Sequence, residues 1–533
     1  MSSLKWWEHA VIYQIYPRSF QDSNSDGIGD LNGITSRLEY IANLGVDAIW
    51  ISPFFMSPQH DFGYDVSNYC DVNPEYGSLS DFDQLIEKAH GLGLRLMIDI
   101  VPAHCSYLHP WFEESRKSKD NPKSDWFHWV DPKPDGCPPN NWLSFFGGPA
   151  WSWEPRRQQY YLHNFLPEQP NLNHANQEVQ EELNKVARFW FDRGVDGFRL
   201  DAVHTVNGDC EPYKDNLADP NFTLGPLPQD KQPFFRQLHD VGQLNQPVIQ
   251  KFSEAYRKIA DEYDGDRFLM GEVDGDDGNA MAVSKTFSEP GRLHATYNFD
   301  LLEWGGLNVS ELKDAIENAK EVFNGSGRLC FAFSNHDVPR SASRQLDPLG
   351  ITSDKQDDLQ LLLLQLETSL IGSSCIYQGE ELGLSDVTDI EFDKMKDPWG
   401  INFYPEFLGR DTCRTPMVWE KSKPMGGFTS ANESWLPISK SHLEKAGLDM
   451  AKSEGSIYNK FSSFLKWRKH QPALMTANNM SNITGGPREI IFDRISETQT
   501  LRCKFDFELV KATFEEVTPV SYTHLTLPTI LLV

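Results

Sequence analysis

Short apolar runs alternate with longer stretches of helical periodicity along most of this chain. Val11–Tyr16, Val46–Ser52, Leu94–Val101, Val195–Leu200, Phe268–Val273, His294–Phe299, Leu329–Phe333 and Ser374–Tyr377 each read as a strand. Helical patterns run through Leu38–Leu44, around Phe82–Leu92 and over Val179–Arg193. Eight strands separated by helices call for parallel pairing with crossovers, and the most economical closure is an α/β fold of the (β/α)8 (TIM) barrel type. A doubly wound sheet would alternate in the same way, but no Gly-rich nucleotide loop follows the first strand. The stretch from about His104 to Asn173 is rich in Pro, Trp, Asn and Gly and is too long for a plain loop, so it predicts a small domain inserted after strand three. Beyond Pro472, β-like runs at Glu489–Phe492 and Thr500–Phe507 predict a C-terminal β domain. The expected organisation is a barrel over 1–103 and 174–470, an inserted domain over 104–173, and a C-terminal β domain over 471–533. That last domain is read as incomplete or as carrying a foreign tail, because SYTHLTLPTILLV has no Asp, Glu, Lys or Arg and an abruptly different composition.

Charge narrows the partners. The chain carries 49 Lys and Arg against 77 Asp and Glu, a net charge of −28. Such a surface repels nucleic acid and anionic membranes, whose recognition depends on neutralising phosphate. The start, MSSLKWWEHAVIYQIYPRSF, lacks the apolar segment of a signal peptide. The apolar stretch Leu359–Ile376 is interrupted by Gln365, Glu367 and several serines, which reads as a buried helix and strand rather than a membrane span. Eight cysteines without CxxC pairing read as free thiols in a reducing cytoplasm. The expected protein is cytoplasmic, a monomer or weak homo-oligomer, with no organic cofactor.

The polar residues gather at strand ends. Asp99 closes strand three, Asp201 follows strand four, Glu272 ends strand five, and Asn335, His336 and Asp337 follow strand seven. In a (β/α)8 barrel that rim carries the active site. Arg199 and Asp201 lie two apart on a strand and point the same way, so the arginine is expected to keep Asp201 ionised, as a nucleophile requires. Glu272 directly follows an apolar run, and partial burial is expected to raise its pKa, as a proton donor requires. Two carboxyl groups in different protonation states are what glycoside cleavage needs.

As a set, YQIYPRSFQDSNSDGIGDLNGI, GYDVSNY, GFRLDAV, MGEV and SNHDVPR, followed by GRDTCRTPMVW, resemble the motifs of glycoside hydrolase family 13, the α-amylase family. The resemblance runs from about Trp6 to Pro472, and within the family the chain is similar to bacterial α-glucosidases acting on short oligosaccharides. It implies Asp201 as nucleophile, Glu272 as general acid/base and Asp337 as the acid that stabilises the distorted sugar. It also implies Asp61, Tyr64, His104, Arg199, His336 and Arg414 as the shell around the terminal glucose, with Asp61 and Arg414 closing the blind end. Ala202, after the nucleophile, matches relatives that prefer α-1,4 over α-1,6 bonds. PAHCS departs from the usual Asn-His-Thr-Ser: Ala103 cannot serve the calcium site of many amylases. His204 stands where many relatives have Asn.

In DSNSDGIGD, Asp22, Asn24 and Asp26 alternate, followed by the Ile28 carbonyl and Asp30. Hard oxygen donors at this spacing suit Ca²⁺ or Mg²⁺, although Gly33 stands where an EF-hand needs Glu. An Asx-rich turn without an ion is the alternative. The resemblance implies one structural divalent cation here. The expected activity is a retaining, exo-acting α-glucosidase on small α-glucosides. The alternatives are a transglucosylase or a sucrose- or trehalose-converting enzyme and, in another class, a non-catalytic family member.

Overall fold

The computed structural model describes residues 5–208, 213–217, 242–274, 280–323, 327–476 and 478–517. Cys210 and the segment SYTHLTLPTILLV therefore lie outside the described residues.

Eight parallel strands close into a barrel: Val11–Ile15, Ala48–Ile51, Arg95–Ile100, Gly197–Leu200, Phe268–Glu272, Ala295–Tyr297, Leu329–Phe331 and Ser373–Tyr377. Each falls within or one residue beyond a run read from the sequence, and each neighbours its sequence successor, the last returning to the first. Side chains alternate between two cores, as the period of a strand requires. Ile12, Trp50, Met97, Phe268, Met270 and Tyr297 are among those filling the barrel interior. Their sequence neighbours pack outward on the helices. Strands three and four set Asp99 beside Arg199 in register, which is the first step in building the site.

The first helix, Leu31–Leu44, starts on Asp30, whose side chain accepts from the Gly33 amide, and ends on Gly45 in the left-handed region. Within 104–173 a three-stranded antiparallel sheet forms from Trp129–Val130, Gln159–Leu162 and Trp151–Glu154. At the C-terminal end Glu489–Ile495, Thr500–Asp506 and Lys511–Glu516 form a second antiparallel sheet. Its last strand, KATFEE, escaped the sequence reading because only Ala512 and Phe514 face the core while the charged residues face out. Among the described residues no helix is long and apolar enough to cross a membrane.

Candidate active site

Arg199 is the hub of one half of the site. Its side chain is fully buried and its guanidinium lies 5.0 Å from the centre of the Trp50 ring. Nη1 donates to Asp99 Oδ1 at 3.0 Å and to Asp201 Oδ1 at 2.6 Å, while Nη2 forms an ion pair with Glu272 Oε2 at 2.6 Å. Ala202 turns the chain sharply at the end of strand four, with φ +38° and ψ +43°. That left-handed turn aims its N–H at Glu272 Oε2, 2.7 Å away, so the residue after Asp201 ties the two carboxylates together.

One guanidinium thus serves three carboxyl groups, and this corrects the expected electrostatics of Asp201. Burial raises Asp201 well above the ordinary carboxylate range; Arg199 opposes the rise, and repulsion from Glu272 and Asp99 adds to it. Burial likewise pushes Asp99 up to about 7 against the pull of Arg199. Asp99 and Asp201 are therefore both raised in spite of the arginine they share. Displacement at a glycosidic carbon uses one carboxyl group as the nucleophile and another as the proton donor.

The other half has the reverse balance. Asp337 Oδ1 takes Arg414 Nη2 at 2.7 Å and Arg410 Nη1 at 3.3 Å, and Oδ2 lies 3.3 Å from His336 Nε2. Burial works to raise Asp337, but His336, Arg414 and Arg410 outweigh it and hold the carboxyl well below its usual value. Arg410 also reaches Asp61 Oδ1 at 2.8 Å and Asp397 Oδ1 at 2.7 Å. Asp61 and Arg414 are not paired with each other: Arg410 takes Asp61, while Arg414 engages Asp337 and the His336 carbonyl. Burial raises Asp61, with Arg410 opposing.

The remaining shell residues line the space between. The Tyr64 ring stacks on His336 with centroids 5.5 Å apart, and its hydroxyl donates to Asp99 Oδ2 at 3.2 Å. His104 Nε2 lies 3.1 Å from the Tyr64 carbonyl, and burial pushes its imidazole down to about 4. Gln169 links His104 to Asp61. His204 Nδ1 lies 3.2 Å from the Glu272 carbonyl, behind the carboxylates. All nine catalytic and shell residues named from the sequence thus belong to two linked networks. Sequence reasoning passed over Arg410, although it stands four residues before Arg414, one helical turn away on the same side. Its guanidinium also lies 4.7 Å from the centre of the Phe146 ring, so the inserted segment forms part of the wall.

The Asp22–Asp30 loop is built as a ladder of Asx turns. Asp22 accepts from the amides of Asn24, Ser25 and Gly27 and from Thr429; Asn24 accepts from Asp26, and Asp26 from Ile28. Both oxygens of Asp30 are engaged, by Ser23 and as the helix cap. Gly33 is required by packing, since a Cβ there would lie 1.9 Å from the Gln21 carbonyl oxygen. The donors are all oxygen and fit a hard divalent cation in kind. Among the described residues, however, no three His, Cys, Asp or Glu side chains converge on one metal position.

A closed parallel barrel with its carboxylates gathered at the C-terminal ends of strands three, four, five and seven is a barrel enzyme performing acid–base chemistry at its rim. The sequence signature described as "Alpha amylase, catalytic domain" matches residues 14–477. The chain belongs to this family and is a glycoside hydrolase. It is 49% identical over 470 residues to a protein named "Probable alpha-glucosidase" from Rhizobium meliloti (strain 1021), covering 88% of this chain and 83% of the relative. It is 33% identical over 532 residues to an "Oligo-1,6-glucosidase" of Heyndrickxia coagulans, covering 93% and 91%. Among solved structures, one described as an alpha-glucosyl transfer enzyme superposes with a TM-score of 0.89 at 45% identity, covering 95% of this chain and 92% of the other.

Proposed function

We propose that the protein is a retaining, exo-acting α-glucosidase that releases terminal α-glucose from short α-glucosides, preferring α-1,4 bonds. The observation that carries this reading is the shared guanidinium. Asp201 and Glu272 each lie 2.6 Å from a terminal nitrogen of Arg199, which draws the two carboxyl groups together. Both carboxyl groups thus sit on one guanidinium, which suits a nucleophile and an acid/base acting together, as in retaining enzymes whose pair stands about 5–5.5 Å apart. Asp201 attacks the anomeric carbon while Glu272 protonates the leaving oxygen; Glu272 then deprotonates the water that releases glucose. The ion pairs joining Asp61, Arg410 and Asp397 seal one side of the site, which supports removal of a single terminal sugar. The expected result is hydrolysis of maltose with retention, followed by NMR on maltose, isomaltose, sucrose and trehalose; inverted product would contradict it. The similarity to an alpha-glucosyl transfer enzyme favours a second reading, glucosyl transfer to an acceptor other than water, visible in the same spectra as new oligosaccharides.

The unpaired cysteines among the described residues support a reducing, cytoplasmic setting, and the net charge of −28 supports neither nucleic acid nor anionic membrane as partner. A monomer or weak homo-oligomer accords with small-molecule chemistry. The boundaries at 103/104, 173/174 and 470/471 divide the barrel from its two appended sheets. Asp22, Asn24, Asp26, the Ile28 carbonyl and Asp30 would hold one structural Ca²⁺ or Mg²⁺, which would brace the loop and take no part in the chemistry. A chelator should then lower Tm in the wild type and have less effect in Asp26→Ala. Asp26 is the better choice because its carboxylate accepts one turn hydrogen bond, from the Ile28 amide, whereas Asp22 accepts from three amides and from Thr429. An unchanged wild-type Tm would contradict the ion.

A further inference from the structure

Gln14 lies on the first barrel strand with no exposed surface and no role assigned so far. Its Nε2 lies 2.7 Å from His336 Nδ1 and 3.4 Å from Ser52 Oγ. On the opposite edge of the imidazole, Nε2 lies 2.6 Å from Tyr64 Oη and 3.3 Å from Asp337 Oδ2. The ring cannot readily turn over. Tyr64 stacks against it at 5.5 Å and 7°, Tyr16 at 5.6 Å and 24°, and Trp50 meets it edge-on at 6.2 Å. Packing therefore fixes which ring nitrogen faces Gln14 and which faces Tyr64, and the position of the proton follows from the amide end, Nε2, that Gln14 presents to the ring.

Burial lowers His336 well below the usual histidine value; Asp337 opposes this, and Arg414, Arg199 and Arg410 reinforce it. The neutral ring carries one proton. On Nδ1 that proton would meet the N–H of Gln14 head-on, and a bare Nε2 lone pair would face the Asp337 carboxylate. On Nε2 both conflicts vanish: Gln14 donates to Nδ1, and Nε2–H is offered to Tyr64 Oη and Asp337 Oδ2. Tyr64 O–H then donates onward to Asp99 Oδ2 at 3.2 Å. The bond made at one imidazole nitrogen decides what the other can do.

We propose that Gln14 is a positioning residue that locks His336 in the Nε2–H tautomer and so keeps a hydrogen-bond donor beside Asp337 at the sugar-binding wall. The consequence for sugar binding rests on the α-glucosidase reading; the tautomer does not. A sugar hydroxyl between Asp337 and His336 could then donate to the carboxylate and accept from Nε2–H. With the proton on Nδ1 it would face two acceptors.

The test is the nitrogen-15 spectrum of wild-type protein labelled at histidine, with the His336 signals assigned from their absence in His336→Gln. The expected result is a bare Nδ1 and a protonated Nε2; a proton on Nδ1 overturns the proposal without any variant having to fold. In Gln14→Glu the carboxylate accepts instead of donating and draws a proton to Nδ1. Its kcat/KM for maltose should fall on the order of 10–100-fold, the range seen when partners that orient a metal-bound histidine are removed. A new ionisation should appear in its pH profile between about pH 5 and 8, where a histidine restored toward its ordinary value titrates. Wild-type kcat/KM and pH profile in Gln14→Glu, with Nε2 still protonated, would also overturn the proposal. A wild-type protein with the expected tautomer but no turnover of any α-glucoside would refute the activity and leave the tautomer standing.

Discussion

The two halves of the site contain the same kind of group and treat it in opposite ways. Around Arg199, three carboxyl groups divide one guanidinium, and burial carries Asp201 and Asp99 upward. Around Asp337, two guanidinium groups and an imidazole converge on one carboxyl and hold it down. The count of cations per acid, more than burial itself, separates the acids that are raised from the acid that is held down. A glycosidase needs a nucleophile and a proton donor on one side of its pocket, and on the other a negative charge to meet the developing oxocarbenium ion.

The largest effect is expected from Glu272→Gln, which keeps the shape beside Ala202 but removes the transferable proton. Turnover of maltose should fall on the order of 10²–10⁴-fold. An aryl α-glucoside with an acidic phenol needs no proton to leave, so its first step should be largely spared. Its glucosyl-enzyme should accumulate, and azide should restore turnover as a nucleophile that needs no deprotonation. Equal loss on both substrates, without azide rescue, would move the donor elsewhere, with Asp337 the first candidate.

A smaller effect separates the halves by their response to pH. Asp99 sits at about 7 in the fold, and an unfolded carboxyl titrates near about 3.9, so the folded state holds the extra proton between these values. That contribution to stability is complete below about pH 4 and is lost as pH rises through about 7. Asp99→Asn should therefore flatten the decline of Tm between pH 5 and 8. Asp337 has the opposite sign: its contribution is present above the unfolded value and is lost as pH falls through its depressed folded value. Asp337→Asn should leave the neutral slope alone and remove part of the loss on the acid side. Thermal melts across pH for both variants test the pair, and parallel slopes would contradict the division.

The smallest effect belongs to Ala202→Val. A β-branched residue at φ +38° costs about 1–2 kcal/mol of backbone strain and disturbs the amide that holds Glu272. The maltose-to-isomaltose ratio of kcat/KM should fall by about tenfold, the scale on which added methyl groups discriminate between substrates. An unchanged ratio would separate Ala202 from bond preference.

The barrel was legible in the sequence because its strands are short, mainly apolar runs separated by helical patterns, as parallel strands buried on both faces tend to be. The last C-terminal strand was not, because KATFEE buries only one face and reads as a solvated loop. At the site, the structure sets Asp99, Asp201, Glu272, His336 and Asp337 at the strand ends where the sequence pattern put them. What the chain order could not reveal was the division of cations. Arg199 beside Asp201 suggested a private ion pair, whereas the register between strands three and four makes Arg199 common property of Asp99 as well. Nor does chain order reveal that Arg410, one turn before Arg414, is the partner of Asp61. Gln14 carried no signal at all, since a single glutamine in a strand gains meaning only when a histidine from the seventh strand meets it across the barrel.

The central claim is that Asp201, despite being raised by its neighbours, is the carboxylate that bonds to the sugar. Reaction with a mechanism-based glucosyl fluoride tests this most directly, read by intact mass and by sequencing of the labelled peptide. The account predicts one hexosyl group per chain, attached at Asp201 and absent in Asp201→Asn. Attachment at any other carboxylate, or labelling of Asp201→Asn at the wild-type rate, would contradict it.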